Sequence, residues 1–311
     1  MPLDAKTVKA EAQGKWFGIM SRLGIDVGNG RHKKCPSCGG KDRFRFDDKN
    51  QGLWFCNQCS PNSGDGFALI QKVLGVDFAE ALKVVANHVG HVEKGEYKPE
   101  PKASKDLLRK MYVESSPIQK GDVAYRYIEN RGLSVVSERL RYHSKCYEPE
   151  THSDCHAMLA TFTLSDGTAV TIHRTFLTFD GRKKEIESPK KLMPSLKKMN
   201  GGAIRLFDPE DGVIGVAEGI ETALAVKELT GIPTWSVVSA SLMEAFVPPV
   251  GIKAVFVFAD RDKNFAGQKA AYTLANKLVV KNKIEADVRL PVMIGDFLDQ
   301  LNETNGGCSN E

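Results

Sequence analysis

No long hydrophobic run occurs in this chain of 311 residues: the longest uninterrupted apolar stretch, Ala254 to Ala259, has six residues, against the ~18 that a membrane-spanning helix needs. A membrane partner is therefore not expected. Cysteines number only seven, an odd count, which argues against the disulfide framework of a small secreted domain. The opening residues MPLDAKTVKAEAQGKW are charged and hold no apolar segment, so secretion is not expected and a cytoplasmic protein is. The sequence also lacks the GxxxxGKS or GxxxxGKT loop that cradles nucleotide phosphates in ATP-driven motors. Fibrous repeats and low-complexity tracts are absent too.

What is present starts with length, since 311 residues are about twice a typical single domain and imply two or three. The net charge of +4 conceals a division. From Leu206 to Glu311 there are 9 Lys and Arg against 15 Asp and Glu, a balance of −6 that leaves +10 on the remainder. A basic front and an acidic final third suit two tasks, one facing a polyanion and one holding cations.

Helical spacing opens the chain, with Val8, Trp16, Ile19, Met20 and Leu23 as core positions. Two cysteine pairs follow. Phe67, Ile70 and Leu74 then share a helix face, and Asp77 with Glu80 forms a capping-box pattern ahead of a helix carrying Leu82, Val85 and Val89. Residues 1–92 make the first domain. The charged, proline-containing stretch EKGEYKPEPKASKD, residues 93–106, reads as a linker. Residues 107–205 begin with helical segments from Leu107 to Leu140 and continue as a β-meander, HAMLATFTL and TAVTIHRTFLTF, turning at Asp166-Gly167 and Asp180-Gly181. Residues 206–311 alternate strand and helix through VIGVA, TWSVV, AVFVFA and ADVRL, the rhythm of a parallel α/β sheet. The fold expected is thus multidomain, α+β and α/β: a four-cysteine zinc ribbon with helices, a mixed α+β middle domain and an α/β domain with a mainly parallel sheet.

Cys35, Cys38, Cys56 and Cys59 stand as C-x2-C, 17 residues, C-x2-C. This is the spacing at which two turns offer thiolate pairs to a tetrahedral zinc, and a ribbon this small needs the metal for its fold, so the zinc is structural. Arg43 and Arg45 alternate with Phe44 and Phe46 along one strand of the ribbon, which turns the arginines to one face. That face suits single-stranded nucleic acid, while the phenylalanines either stack a base or cover the zinc knuckles.

Glu218 follows the apolar strand Val213 to Ala217, and Asp260 and Asp262 follow Ala254 to Ala259. Strand ends of a parallel sheet share one edge, so three carboxylates converge there and require a divalent cation, magnesium or manganese by their oxygen-only donors. Glu221 reads more simply as a first-turn partner of its helix dipole. From Arg182 to Arg205 there are 8 basic and 2 acidic residues. Lys190, Lys191, Lys197 and Lys198 in this run, with Arg174 on an apolar strand, are the candidates for phosphate contacts. His143, Cys146, His152, Cys155 and His156 match no metal-site spacing and are not read as a second metal centre.

AEGIETALA together with VFVFADRD resembles the Toprim signature of bacterial-type primases, type IA and type II topoisomerases, some nucleases and RecR-like proteins. GKWFGIMSRLGI, CPSCGGKDRFRF, WFCNQC and GDGFALI resemble the zinc-binding domain of satellite-phage primases. YIENRGL, HRTFLTFDG and GGAIRLF are similar to the middle of the same phage and plasmid primases. The resemblance implies a DNA primase, making RNA primers on a single-stranded DNA template from nucleoside triphosphates. Residues 107–205 would open its RNA-polymerase core and 206–311 would be the Toprim domain. Glu218 would be general base or metal ligand, and Asp260 and Asp262 would hold the magnesium. Asp296, with Asp299 in the trailing acidic segment GDFLDQL, is a further metal candidate. Without a motor loop in the sequence, unwinding is expected from a separate replicative helicase. A RecR-like scaffold without catalysis and a Toprim nuclease are the competing readings.

Overall fold

The computed structural model describes residues 4–28, 32–48, 51–90, 103–149, 151, 153–186 and 188–307, and the chain divides into two units, 1–100 and 101–311.

In the first unit, helices Ala5–Glu11 and Trp16–Arg22 precede a four-stranded antiparallel sheet. Its strands are Lys33–Cys35, Gly39–Asp47, Leu53–Cys56 and Ser63–Gly64, and helices Gly66–Leu74 and Phe78–Val89 follow. The expected hairpin is there, with Arg45 opposite Phe55 and Phe46 opposite Trp54. The expected capping residue is there too: Asp77 Oδ1 accepts from the amide of Glu80 at 2.8 Å. Apolar side chains of sheet and helices meet in one core around Trp16, Phe44, Phe46, Trp54 and Phe67. Unforeseen from the sequence is Asp48, a buried carboxylate that accepts from the amides of Trp16 and Phe17 at 3.1 and 3.2 Å and thereby caps the second helix from the ribbon.

The second unit is built on one continuous mixed sheet. Four parallel strands lie in the order Glu285–Arg289, Ala254–Phe258, Val213–Ala217, Thr234–Ser236. The near-continuous apolar runs of Val213–Ala217 and Ala254–Phe258 are those of strands covered on both faces, whereas the edge strand Glu285–Arg289 alternates polar and apolar residues. Helix Ile220–Thr230 packs with Phe297, Leu298 and Leu301 in one core, and helix Ala266–Lys277 lies in another with Ala270, Ala271 and Leu274. The short strand Ala203–Ile204 joins this region to the meander, with Ile204 opposite both Ser236 and Phe162. The meander consists of Leu140–Glu148, Ser153–Thr163, Ala169–Leu177 and Lys190–Leu192, all antiparallel. The expected division between 205 and 206 therefore falls next to a strand that hydrogen-bonds to both sides. The helical region is shorter than expected: helices Lys105–Val113 and Val123–Asn130 are followed by a strand beginning at Leu140. Residues 93–102 of the expected linker lie outside the described residues, while Lys105 and Asp106 already belong to a helix capped by Ser104.

Candidate active site and zinc centre

The ribbon's two turns bring Cys35 and Cys59 sulfurs to 3.7 Å and those of Cys38 and Cys56 to 3.6 Å, with all four within 4.8 Å of one another. A tetrahedral zinc with bonds of ~2.3 Å places its sulfurs roughly 3.8 Å apart, so the donor set fits zinc without rearrangement. Burial and then the neighbouring sulfurs push the thiols of Cys38 and Cys59 up. A divalent cation removes that penalty by taking all four as thiolates.

On the strand Gly39–Asp47 the alternation holds: Arg43 and Arg45 are half-exposed, whereas Phe44 and Phe46 are fully buried. The phenylalanines cover the core, so they are not available to stack a base. The exposed aromatic on this sheet is Phe55, 45% accessible and directly opposite Arg45. The alternation of Leu53 out, Trp54 in, Phe55 out, Cys56 in carried that signal.

The second site lies where strands Val213–Ala217 and Ala254–Phe258 end side by side, Ala217 paired with Phe258. Glu218 and Asp260 leave these ends and are half-buried, and Asp262 is exposed. Burial first, and then Asp262, pushes the Glu218 carboxyl up to about 7, with Lys190 opposing the shift. Asp260 is likewise pushed up to about 7 by burial and then by Glu218, Asp296, Asp262 and Asp299. Asp260 Oδ1 is buried with no hydrogen-bond partner among the described residues. A repelling carboxylate set with an unpartnered buried oxygen is what a hard divalent cation satisfies. The acids are spaced more widely than the sulfurs. Among the described residues only the four cysteines form a group of three or more such donors all within 4.8 Å, and magnesium, which keeps several waters, tolerates that spacing.

The loop carrying the aspartates is fixed from two sides. The amide of Phe265 and Nε2 of Gln268 donate to the Asp262 carbonyl at 3.2 and 3.1 Å. Gly267 lets the helix approach, since a Cβ there would stand 3.3 Å from the Asp260 carbonyl oxygen. On the other side Arg261 and Gly295 exchange backbone hydrogen bonds at 2.8 and 3.3 Å, which brings up the segment holding Asp296. Asp296 Oδ1 accepts from the amides of Leu298 and Asp299 at 2.7 and 3.0 Å, Oδ2 accepts from Thr222 Oγ1 at 3.4 Å, and Asp299 Oδ2 accepts from the Asp296 amide at 3.0 Å. Asp296 thus caps helix Phe297–Gly307 while adding negative potential at Asp260.

Glu221 stands in the first turn of helix Ile220–Thr230, as expected of a dipole partner, and has a larger role besides. It is buried, and its carboxylate accepts from Tyr127 Oη and pairs with Lys190 at 2.9 Å and Lys183 at 3.6 Å. Those contacts hold its carboxyl well below the ordinary range despite burial. Sequence reasoning missed this network because Tyr127, Lys183 and Lys190 lie on other elements. His173 is fully buried beside it, pushed down to about 4 by burial and then by Lys190, and its Nδ1 has no partner among the described residues.

The basic run is divided by the fold. Lys190 is held by Glu221, and Lys191 pairs at 2.5 Å with the fully buried Glu148. Lys197 and Lys198 are exposed. Arg174 is buried, donates from Nη1 to the Tyr147 carbonyl at 3.3 Å and lies over the Phe176 ring. The His/Cys group does not converge: His156 Nδ1 meets Tyr142 Oη at 2.6 Å, His143 lies 3.7 Å from Glu114, and His152 is outside the described residues.

Three families match successive parts of the chain. Residues 30–67 match the zinc-binding domain of primase-helicase, residues 102–206 a domain of unknown function (DUF7146), and residues 213–305 the Toprim domain. Among solved structures, the chain is similar to the primase fragment of the bacteriophage T7 primase-helicase protein at 16% identity, covering 89% of this chain and 97% of that one with a TM-score of 0.41. It is similar to the Aquifex aeolicus primase, zinc-binding and RNA polymerase domains, at 14% identity, covering 97% and 83% with a TM-score of 0.41. It is also similar to the DnaG catalytic core at 13% identity, covering 64% and 74% with a TM-score of 0.44.

Proposed function

We infer that this chain is a DNA primase, a metal-dependent nucleotidyltransferase that joins ribonucleotides into short primers on single-stranded DNA, because one chain carries a primase zinc-binding domain and, beyond it, a Toprim domain. The observation that carries the active-site assignment is the meeting of Glu218 and Asp260 at the ends of paired parallel strands, with Asp260 Oδ1 buried and unpartnered.

Glu218, Asp260 and Asp262 would hold magnesium or manganese, which when bound lowers the pKa of an attacking 3′-hydroxyl and offsets charge on the departing pyrophosphate. Glu218, half-buried at the strand end beside Asp260, would either share in holding that cation or accept the proton of the hydroxyl. Lys190 stands beside it, positioned by Glu221, and supplies positive charge next to the reacting phosphates. We read Asp296 as orienting the site through its cap and its potential. Single-stranded template would follow the basic surface of Arg43 and Arg45 and the exposed Lys197 and Lys198. We place the protein in the cytoplasm, working with nucleoside triphosphates and a separate helicase.

A RecR-like scaffold has no use for a carboxylate set with a buried, unpartnered oxygen at the strand ends, whereas a nuclease would use the same cage with water as nucleophile. Labelled nucleoside triphosphates and single-stranded DNA with magnesium or manganese separate the three. Short labelled products are expected; shortened template would establish the nuclease, and neither product would establish the scaffold.

Two further outcomes follow from the division of the basic run. Replacing Lys197 and Lys198 with alanine is expected to flatten the dependence of log K on log salt for single-stranded DNA by about 0.7 per lost phosphate contact, with the melting temperature unchanged. An unchanged slope would remove both lysines from the template path. Glu221→Gln is expected to lower stability by roughly 1–3 kcal/mol, less than a fully buried pair because both ammonium groups are about a third exposed, and to cut primer yield per folded molecule. Thermal melting and primer synthesis on the same sample check it; wild-type values in both would show that Lys190 needs no anchor.

A further inference from the structure

Cys155 and Lys184 take no part in the chemistry assigned above, yet their sulfur and nitrogen stand in unusually close contact. Cys155 opens the meander strand Ser153–Thr163 and is 7% exposed. Lys184 lies just beyond the next strand, fixed by its amide bonding to the Phe176 carbonyl at 2.9 Å. Lys184 Nζ stands 2.7 Å from Cys155 Sγ. Hydrogen bonds from nitrogen to oxygen cluster near about 2.9 Å. Sulfur is the larger atom, so this separation is shorter than an N–H···S bond requires. It is instead the distance that one oxygen atom spans when it joins nitrogen and sulfur by single bonds at a bent angle. Ser153 Oγ completes a small polar enclosure, 3.4 Å from the nitrogen and 3.5 Å from the sulfur.

We propose that Cys155 and Lys184 are a covalent modification site, closing a nitrogen–oxygen–sulfur bridge when the protein meets molecular oxygen. The balance is one lysine ammonium, one cysteine thiolate and one dioxygen giving the N–O–S link and one water. Nitrogen and sulfur each give up two electrons, and these four reduce dioxygen. One oxygen atom enters the bridge, the other leaves as water, and the water carries two of the three ammonium hydrogens. The N–O and O–S bonds form as the O–O bond breaks. Reduction by an added thiol returns the free side chains.

The competing oxidation is a disulfide, because Cys146 is directly opposite Cys155 in the strand register. Geometry favours lysine over that thiol. Cys146 turns toward Met111, with Sγ to Sδ at 3.9 Å, and burial pushes its thiol up to about 11. The bridge would tie the start of one strand to the segment whose preceding residue, Lys183, reaches Glu221, so oxidation would stiffen the basic side of the acidic site.

The test uses the full-length, zinc-loaded chain prepared in air and, in parallel, without oxygen in the presence of dithiothreitol. Peptide mapping by mass spectrometry is expected to find, in the aerobic sample only, a cross-linked peptide pair containing Cys155 and Lys184 that has gained one oxygen and lost two hydrogens. Dithiothreitol should undo it. The aerobic protein should also melt at a higher temperature than the reduced one, and Lys184→Arg and Cys155→Ser should abolish that difference. An unmodified Cys155 after exposure to air-saturated buffer would overturn the proposal. So would a Cys146–Cys155 disulfide, or an oxygen gained at Cys155 without a cross-link. None of these results bears on primer synthesis, so the two readings fail separately.

Discussion

Asp260→Asn is expected to end primer synthesis and to leave the second unit as stable as the wild type or more so. Both effects come from one fact: Asp260 lies among Glu218, Asp262, Asp296 and Asp299 with a buried oxygen that nothing in the described chain satisfies. As a metal ligand it is indispensable, and the loss should be at least ~10²-fold, since removing a single contact to developing charge already costs that much. As a carboxylate without its metal it is a liability. A helix-capping aspartate would behave oppositely, losing roughly 1 kcal/mol on substitution and sparing the chemistry.

The pH dependence of stability gives an independent check of the same site. Asp260 and Glu218 are each raised to about 7, above the ordinary carboxylate values of roughly 4. A carboxyl whose pKa rises on folding favours the protonated folded state, so the folded form binds more protons than the unfolded one between those limits. The metal-free wild type should therefore lose stability as pH rises from about 4 through about 7, with the two groups titrating as a coupled pair. Asp260→Asn should flatten that decline, and added magnesium should raise the melting temperature of the wild type far more than that of the variant. Primer synthesis at the wild-type rate by folded Asp260→Asn would refute the assignment of this carboxylate. A wild-type melting temperature that does not fall across this range would refute the electrostatic account of the pair.

The sequence made some of this legible because the relevant information is local. Zinc-ligand spacing, the alternation along Arg43 to Phe46, the parallel-strand rhythm after Val213 and the acids at strand ends are each contained in a few consecutive residues. What it did not show depends on tertiary proximity. Glu221 looks like an ordinary first-turn acid until Val123–Asn130 brings Tyr127 and the last connection and last strand of the meander bring Lys183 and Lys190. Lys190 and Lys191 look like neighbours of Lys197 and Lys198 in one basic run, but a strand alternates side chains between faces, and both faces here hold a buried glutamate. The division between middle and final domains followed a change of rhythm from antiparallel to parallel strands. That change is real, yet Ala203–Ile204 carries backbone hydrogen bonds across it.

Removing zinc is expected to unfold the first unit and leave the second intact. Structural zinc sites contribute apparent free energies of ~10–16 kcal/mol, as large as the ~5–15 kcal/mol net stability of a whole domain, so this fold has no margin without its metal. Metal site and apolar core are also physically one object. Cys35 and Cys56 are buried in the same cluster as Trp16, Phe44 and Trp54, so separating the sulfurs opens the core. Tryptophan supplies the readout, since Trp16 and Trp54 lie in residues 1–100 and Trp235 in 101–311. In a Trp235→Phe chain, fluorescence reports the first unit alone. A zinc-selective, nitrogen-donor chelator that leaves magnesium free should then shift the emission to longer wavelength and abolish the cooperative transition of this unit, with one zinc released per chain. Cys56→Ser should start in that state. The stabilisation by magnesium should persist in both, because the acidic site draws on strands and helices of the second unit only. A chelated, zinc-free chain that keeps its native fluorescence and its cooperative melting would show that the aromatic core holds the ribbon by itself. Loss of the magnesium effect on chelation would show that the two metal sites depend on one another.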